Sequence, residues 1–157
     1  MLLEARDLRV AFADQTRKRL LRPAPTVDVL HGINLSVPAG STIGIVGESG
    51  SGKSTLARAL LRLLEPSGGS IHFEGVDITR LAERDLRPLR RRMQIVFQDS
   101  QSALNPRQTV GRILAEPFIT NGLAGSVHAA RERVMDLLTL VGLSPGFFDR
   151  YAHQLSG

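Results

Sequence analysis

The sequence predicts an α/β fold, and three observations carry that prediction. The run Thr42-Ile43-Gly44-Ile45-Val46 is continuously apolar over the length of a strand and empties into a glycine-rich loop that opens a helical pattern. Before it, Leu2 to Phe12 and Ile33 to Val37 alternate loosely, as half-exposed antiparallel strands do. Beyond residue 98 the periodicity is helical.

The elements follow in order. Asp14 to Asp28 holds Arg17-Lys18-Arg19 and the Pro23-Ala24-Pro25 pair, too polar and too broken by proline for a helix or a central strand, and is expected to be a surface excursion. Pro38-Ala39-Gly40 closes the second strand, and the 42–46 run is expected to be a strand buried on both faces. From Ser54 to Glu65 the residues Leu56, Leu60, Leu63 and Leu64 share one helical face, until Pro66-Ser67-Gly68-Gly69 stops the helix. Ser70 to Glu74 returns as a short strand, Leu81 to Met93 is a charged helical stretch containing Pro88, and Gln94-Ile95-Val96-Phe97 is a second buried strand leading into Gln98. Ser126 is placed to cap a helix whose stripe is Val127, Ala130, Val134, Leu137, Leu138 and Val141, with Gly142 as its stop.

Composition narrows the class. The 157 residues, 42% of them hydrophobic, suffice for one domain or one piece of a larger domain. No cysteine is present, which excludes disulfides and thiolate metal sites and fits a cytoplasmic setting. No apolar run approaches the roughly 20 residues of a membrane helix, and the charged start Met1-Leu2-Leu3-Glu4-Ala5-Arg6-Asp7 does not read as a secretory signal. The net charge of +5 comes almost wholly from arginine. Six arginines lie between Arg80 and Arg92, and with no stacking aromatics interleaved they read as a solvated helix face rather than a nucleic-acid or anionic-membrane contact. The four histidines, at positions 31, 72, 128 and 153, have no metal-site spacing and read as structural.

The loop Gly47-Glu48-Ser49-Gly50-Ser51-Gly52-Lys53-Ser54-Thr55 carries the strongest signal. Glycine, four residues, glycine, lysine, then serine or threonine is a Walker A pattern, and this composition gives on the order of 0.002 accidental matches. Gly47, Gly50 and Gly52 let the backbone curl so that successive N–H groups face an anion. The helix start adds its positive dipole end, Lys53 supplies an ammonium for the β- and γ-phosphates, Ser54 offers a magnesium ligand, and Thr55 is placed for the α-phosphate. Lysine stands here in a chain that otherwise uses arginine almost everywhere, and arginine's broad fork would not fit such a cradle.

The residues around the loop resemble the ATP-binding-cassette family: Leu30-His31-Gly32-Ile33-Asn34-Leu35-Ser36-Val37 before it, then Gln94-Ile95-Val96-Phe97-Gln98-Asp99, then Leu155-Ser156-Gly157. Within that family, Phe97-Gln98-Asp99 through Ala103-Leu104-Asn105-Pro106-Arg107, together with Tyr151-Ala152-His153-Gln154 and the polar insertion at 14–28, are similar to the ATPase subunits of dipeptide and oligopeptide importers, although Ser100 stands where that branch commonly has proline. The resemblance implies a P-loop NTPase (RecA-like) core with an antiparallel β subdomain over residues 1–97 and a Q-loop and helical subdomain over 98–157, incomplete at the C-terminus. It implies ATP and Mg2+ as cofactors.

Position by position, it implies that Phe12 stacks on adenine, the alternative being a core phenylalanine. Gln98 meets magnesium and the γ-phosphate region, and with Lys53 it belongs to the catalytic set. Ser156 and Gly157 begin the signature that caps the γ-phosphate of a second cassette. The chain ends inside that signature, so the acidic strand, the catalytic glutamate and the switch histidine are expected beyond it, and residues 1–157 alone are expected to bind nucleotide without turnover. Implied partners are transmembrane permease subunits, a second cassette ATPase in a homo- or heterodimer, and indirectly a solute-binding protein. The implied place is peripheral, on the cytoplasmic face of the inner membrane, with no nucleic acid expected. The competing readings are a soluble cassette ATPase acting on nucleic acid or the ribosome, and an inactive fragment.

Overall fold

A computed structural model describes residues 1–13, 25–98 and 103–155. It divides into two compact units, Met1–Gln94 and Ile95–Gly157.

The first unit is built on an antiparallel sheet. β1 (Leu3–Ala13) lies between β2 (Thr26–Val37) and β3 (Gly68–Phe73), and β4 (Val76–Asp77) follows β3, giving the order β2-β1-β3-β4. The β1–β2 register runs from Leu3 opposite Val37 to Ala13 opposite Thr26, and it shifts between Ala5 and Leu8. That irregularity, with Asp7 at φ 46°, explains why the alternation in β1 looked loose: Ala5 faces inward, and after the extra residue Leu8 and Val10 do. The Asn34 side-chain oxygen accepts from the Asp7 N–H at 2.9 Å and so satisfies the displaced backbone. β2 begins at Thr26, so residues 26–28 belong to the sheet rather than to the expected excursion, whose residues 14–24 lie outside those described.

One face of this sheet carries α1 (Lys53–Leu60) and α2 (Glu83–Arg90). Ala5, Leu8, Val10, Leu30, Ile71 and Phe73 pack with Leu56, Ala59 and Leu60 of α1, Ile78, and Leu86 of α2. Helix α1 is shorter than the 54–65 pattern implied, because Arg62 turns into the left-handed region at φ 53° and ends it. The arginine cluster from 80 to 92 is largely engaged with carboxylates: Arg80 with Glu65, Arg84 with Asp85, Arg90 with Glu83 and Arg92 with Glu74.

Two expectations are corrected. Residues 42–46 and 94–97 form no strand, and they are not buried: Val46 is 95% exposed and Val96 92%. A strand of a parallel sheet is stable only between neighbouring strands with helices over both faces. Among the described residues no strand pairs with either segment, so their apolar side chains have nothing to pack against.

The second unit is helical. α3 (Val110–Thr120) starts at Thr109, whose hydroxyl accepts from the Arg112 N–H, and α4 (Val127–Leu140) starts at Ser126, whose hydroxyl accepts from the Ala129 N–H at 3.1 Å. Val110 and Ala115 of α3 pack with Ala130, Val134 and Leu138 of α4 and with Phe148 from a 3-10 turn at Pro145–Asp149. The buried stripe of α4 is narrower than its periodicity implied, since Leu137 and Val141 are exposed. Gly142, at φ 78°, does end the helix. Among the described residues no helix is long and apolar enough to cross a membrane.

Candidate phosphate-binding site

The loop is exposed from Gly47 to Ser51 and leads through the half-buried Gly52 straight into α1. Its conformation depends on glycine at two points: Gly50 has φ 83° and Gly52, the residue before the helix, has φ 90°. A Cβ on Gly52 would also stand 3.1 Å from Leu30 Cδ2 and 3.3 Å from the Val29 carbonyl, so β2 supports the loop from beneath. Lys53 folds back over the turn. Its Nζ donates to the Gly47 carbonyl at 2.8 Å, to the Glu48 carbonyl at 2.5 Å and to Ser51 Oγ at 3.4 Å. Ser51 N–H closes the turn onto the Glu48 carbonyl at 3.3 Å.

No side chain caps the N-terminus of α1. The N–H groups of a helix's first turn have no partners within the helix, and they carry its positive dipole end. The structure therefore gathers at one place an ammonium, a curled backbone and an uncapped helix start, with the exposed Ser54 hydroxyl and the half-buried Thr55 on the first turn. This set fits a chain of phosphates, because each component favours negative charge. Magnesium also fits here: the ion is commonly held by a protein oxygen or two together with phosphate oxygens and water, and Ser54 can be such a ligand. Among the described residues no cluster of three or more histidine, aspartate or glutamate side chains could hold a metal ion by itself.

The other expected site residues are placed as follows. Phe12, near the end of β1 and opposite Val27, is 43% exposed, which removes the core alternative. Gln98 is exposed and belongs to the second unit. Ser156 and Gly157 lie outside the described residues. Two features had not been anticipated from sequence: the return of Lys53 onto its own loop, and the attachment of the far end of α1 to α2 through Arg90.

Comparison with known proteins decides the family, since the model of the ABC transporter family matches residues 30–157. The chain belongs to the ABC transporter family. Over 99% of its length this ABC chain is 43% identical to the oligopeptide transport ATP-binding protein AppF of Bacillus subtilis (strain 168), covering 47% of AppF. It is 47% identical over 133 residues to the probable peptide ABC transporter ATP-binding protein y4tS of Sinorhizobium fredii, covering 85% of this chain and 37% of that protein. Among solved structures, it is similar to the ATP-binding cassette MJ0796 in a dimeric post-hydrolysis state bound to ADP and Pi, with a TM-score of 0.74, 26% identity, and coverage of 98% of this chain and 63% of that one. A second dimeric structure of MJ0796, described as a bacterial ABC transporter cassette, gives a TM-score of 0.75. The chain thus spans about half or less of the curated relatives it matches. Its fold is the α/β fold of the cassette ATPases, here an antiparallel sheet with helices in the first unit and a helical second unit.

Proposed function

We propose that this ABC chain is the nucleotide-binding part of an energy-coupling ATPase in a peptide importer. The observation that carries the reading is the Lys53 ammonium held inside the Gly47–Ser51 turn at the uncapped start of α1. The peptide assignment is supported by relatives named for oligopeptide and peptide transport.

ATP binds with its phosphates along Gly47, Glu48, Ser49, Gly50, Ser51 and Gly52, in reach of the N–H groups that open α1. Lys53 exchanges carbonyl acceptors for phosphate oxygens, which as charged acceptors make the stronger bonds. Ser54 would hold magnesium, and Thr55 would meet the α-phosphate. Phe12, 43% exposed, is the aromatic proposed to stack on adenine, since an aromatic face covers a base without reading its edges. Gln98, in the second unit, keeps the magnesium and γ-phosphate role that the family resemblance implies for it. Ser156 and Gly157 serve the nucleotide of a second cassette. Magnesium, when bound, would supply charge neutralisation, and the loop's own part is to orient the phosphates and to hold positive charge where negative charge develops. In the whole protein, hydrolysis between two cassettes drives permease subunits at the cytoplasmic face of the membrane, supplied by a solute-binding protein. The core with its β subdomain is taken as residues 1–97 and the Q-loop with the helical subdomain as residues 98–157, beside a division of the chain into units at Gln94 and Ile95.

The rival reading, contact with nucleic acid through the 80–92 arginines, has less to draw on, because four of them are paired with carboxylates. The test is isolation of the tagged full-length protein from its own cells, followed by identification of what accompanies it and a peptide-uptake assay with its gene deleted. Permease subunits and lost uptake are expected. Recovery with nucleic acid and unaltered uptake would overturn the proposal.

A further inference from the structure

Among the described residues three helices end in one and the same turn, and the phosphate-loop helix ends in it differently. In α3 the N–H of Gly122 reaches the Ile119 carbonyl at 3.0 Å and that of Leu123 reaches Phe118 at 2.7 Å. In α4 Gly142 reaches Thr139 at 3.0 Å and Leu143 reaches Leu138 at 2.8 Å. In α1 Arg62 reaches Ala59 at 2.8 Å and Leu63 reaches Arg58 at 2.8 Å. The turn places its pivot residue in the left-handed region, which glycine occupies freely and other residues resist. Here φ is 70° at Gly122, 78° at Gly142 and 53° at Arg62.

An arginine at the pivot is held there by what it touches. Arg62 Nε donates to the Ile78 carbonyl at 2.9 Å and Nη2 to the Leu81 carbonyl at 3.4 Å. In return, Arg90 of α2 spans the helix end, with Nη1 donating to the Leu61 carbonyl and Nη2 to the Arg62 carbonyl, both at 3.2 Å. Glu83 grips the same guanidinium through two bonds, of 2.8 and 2.9 Å. The last carbonyls of a helix lack partners within it, and a cation there also suits the dipole. The fork of Arg90 meets both needs.

The arrangement bears on the phosphates because side chains bond the carboxyl end of α1, whereas none caps its start. Its first N–H groups are the site itself, and no side chain caps them. Its apolar anchorage is limited to Leu56, Ala59 and Leu60. Eight residues make a rod about 12 Å long, so a small swing at the carboxyl end displaces the first turn. We infer that Arg90 is a positioning residue for nucleotide phosphates: by spanning the Leu61 and Arg62 carbonyls it sets the axis of α1, and through it the placement of Lys53, Ser54 and Thr55. The inference rests on the reading of residues 47–55 as the phosphate site.

The test measures displacement of a fluorescent ATP analogue by MgATP and by pyrophosphate in the full chain, with thermal unfolding followed on the same samples. Arg90→Lys keeps the charge beside Glu83 but cannot span two carbonyls. It is expected to weaken both ligands about tenfold per folded molecule. Arg62→Gly keeps the turn and both acceptor carbonyls, so it is expected to bind as the parent does. A purely structural role for Arg90 would lower the melting temperature and leave the affinity of the folded molecules unchanged. Unchanged affinity in Arg90→Lys, a loss that vanishes after correction for the unfolded fraction, or an equal loss in Arg62→Gly overturns the inference. Failure of the parent to bind, or undiminished binding by Lys53→Ala, overturns instead the reading of the loop beneath it.

Discussion

Lys53 and Gly47 close the phosphate loop upon itself, the Nζ of the one donating to the carbonyl of the other at 2.8 Å across six positions of sequence. The ammonium is thereby stationed within the turn, and on the proposed reading phosphate binding replaces neutral carbonyl acceptors with charged ones. Lys53→Ala removes the cation and also the cross-link that shapes the turn. Affinity for MgATP is expected to fall by about 10²-fold or more, with secondary structure unchanged. Equilibrium binding of a fluorescent analogue, beside a circular dichroism spectrum, checks both. Lys53→Arg should fail nearly as badly, because its fork does not fit among the Gly47 and Glu48 carbonyls.

Gly52→Ala tests the backbone of the same loop. At φ 90°, with Leu30 and Val29 in contact distance of an added Cβ, alanine must either strain the backbone or push the loop off β2. The expected result is a stability loss of about 1–2 kcal/mol together with weakened MgATP binding. Gly40→Ala is the control: φ is 72° there, but nothing lies within 4 Å of the added methyl, and stability should fall by about 1 kcal/mol while binding is unaffected. Urea unfolding combined with nucleotide titration separates the two.

Thr79 and Asp77 give the first unit an acid-sensitive feature. The buried Thr79 hydroxyl accepts from the Ile71 N–H at 2.7 Å and donates to Asp77 Oδ1 at 2.5 Å, while its own N–H donates to the same oxygen at 2.8 Å. Bonds from the Thr79 hydroxyl and then its N–H hold the Asp77 carboxyl below its ordinary pKa. Because the folded pKa is the lower one, this contribution is fully present above the unfolded value of about 4 and is lost as pH falls through the folded value. Thr79→Val leaves the Ile71 N–H unpaired in the core and should cost about 1–3 kcal/mol at pH 7. The difference from the parent should shrink below about pH 4 as Asp77 becomes protonated. Urea midpoints at several pH values measure it, and a difference independent of pH would contradict the account.

What the sequence made legible divides along a physical line. The turn at 47–52 and the helix start after it were legible because local backbone chemistry dictates them: glycines where φ must be positive, and a lysine at the helix start. The caps of α4 were legible for the same reason, Ser126 and Gly142 standing beside the two ends of its periodic stretch; the Thr109 cap of α3 was not singled out. The end of α1 was not, because Leu63 and Leu64 continue the helical period and nothing local announces that Arg62 will turn left-handed; its partners there, Ile78, Leu81 and Arg90, are 16, 19 and 28 positions away. Apolar runs misled at 42–46 and 94–97, since hydrophobicity states what a segment would bury and not whether the neighbours that bury it are at hand. The irregularity in β1 was hidden similarly, as Asn34 and Asp7 meet only once the sheet has formed.

The two apolar segments lead to the last prediction, which concerns a polypeptide of residues 1–157 made by itself. Ile43, Ile45 and Val46 in the first unit and Val96 and Phe97 in the second are all exposed, and among the described residues none of them is covered by a strand. Short runs of this kind, rich in β-branched residues and uncharged, are templates for pairing with another chain. The polypeptide is expected to bind a hydrophobic dye and to sediment as a mixture of associated species at micromolar concentration, with the fraction associated rising with concentration. Val46→Lys combined with Val96→Lys places a charge in each run and should shift the distribution toward monomer without altering the helical signal of the second unit, whose Val134, Leu138 and Phe148 core neither change touches. Sedimentation velocity on both proteins decides it. A parent polypeptide that sediments as a single monomeric species without binding the dye would show that these segments find cover within residues 1–157, and the account of their exposure would fail.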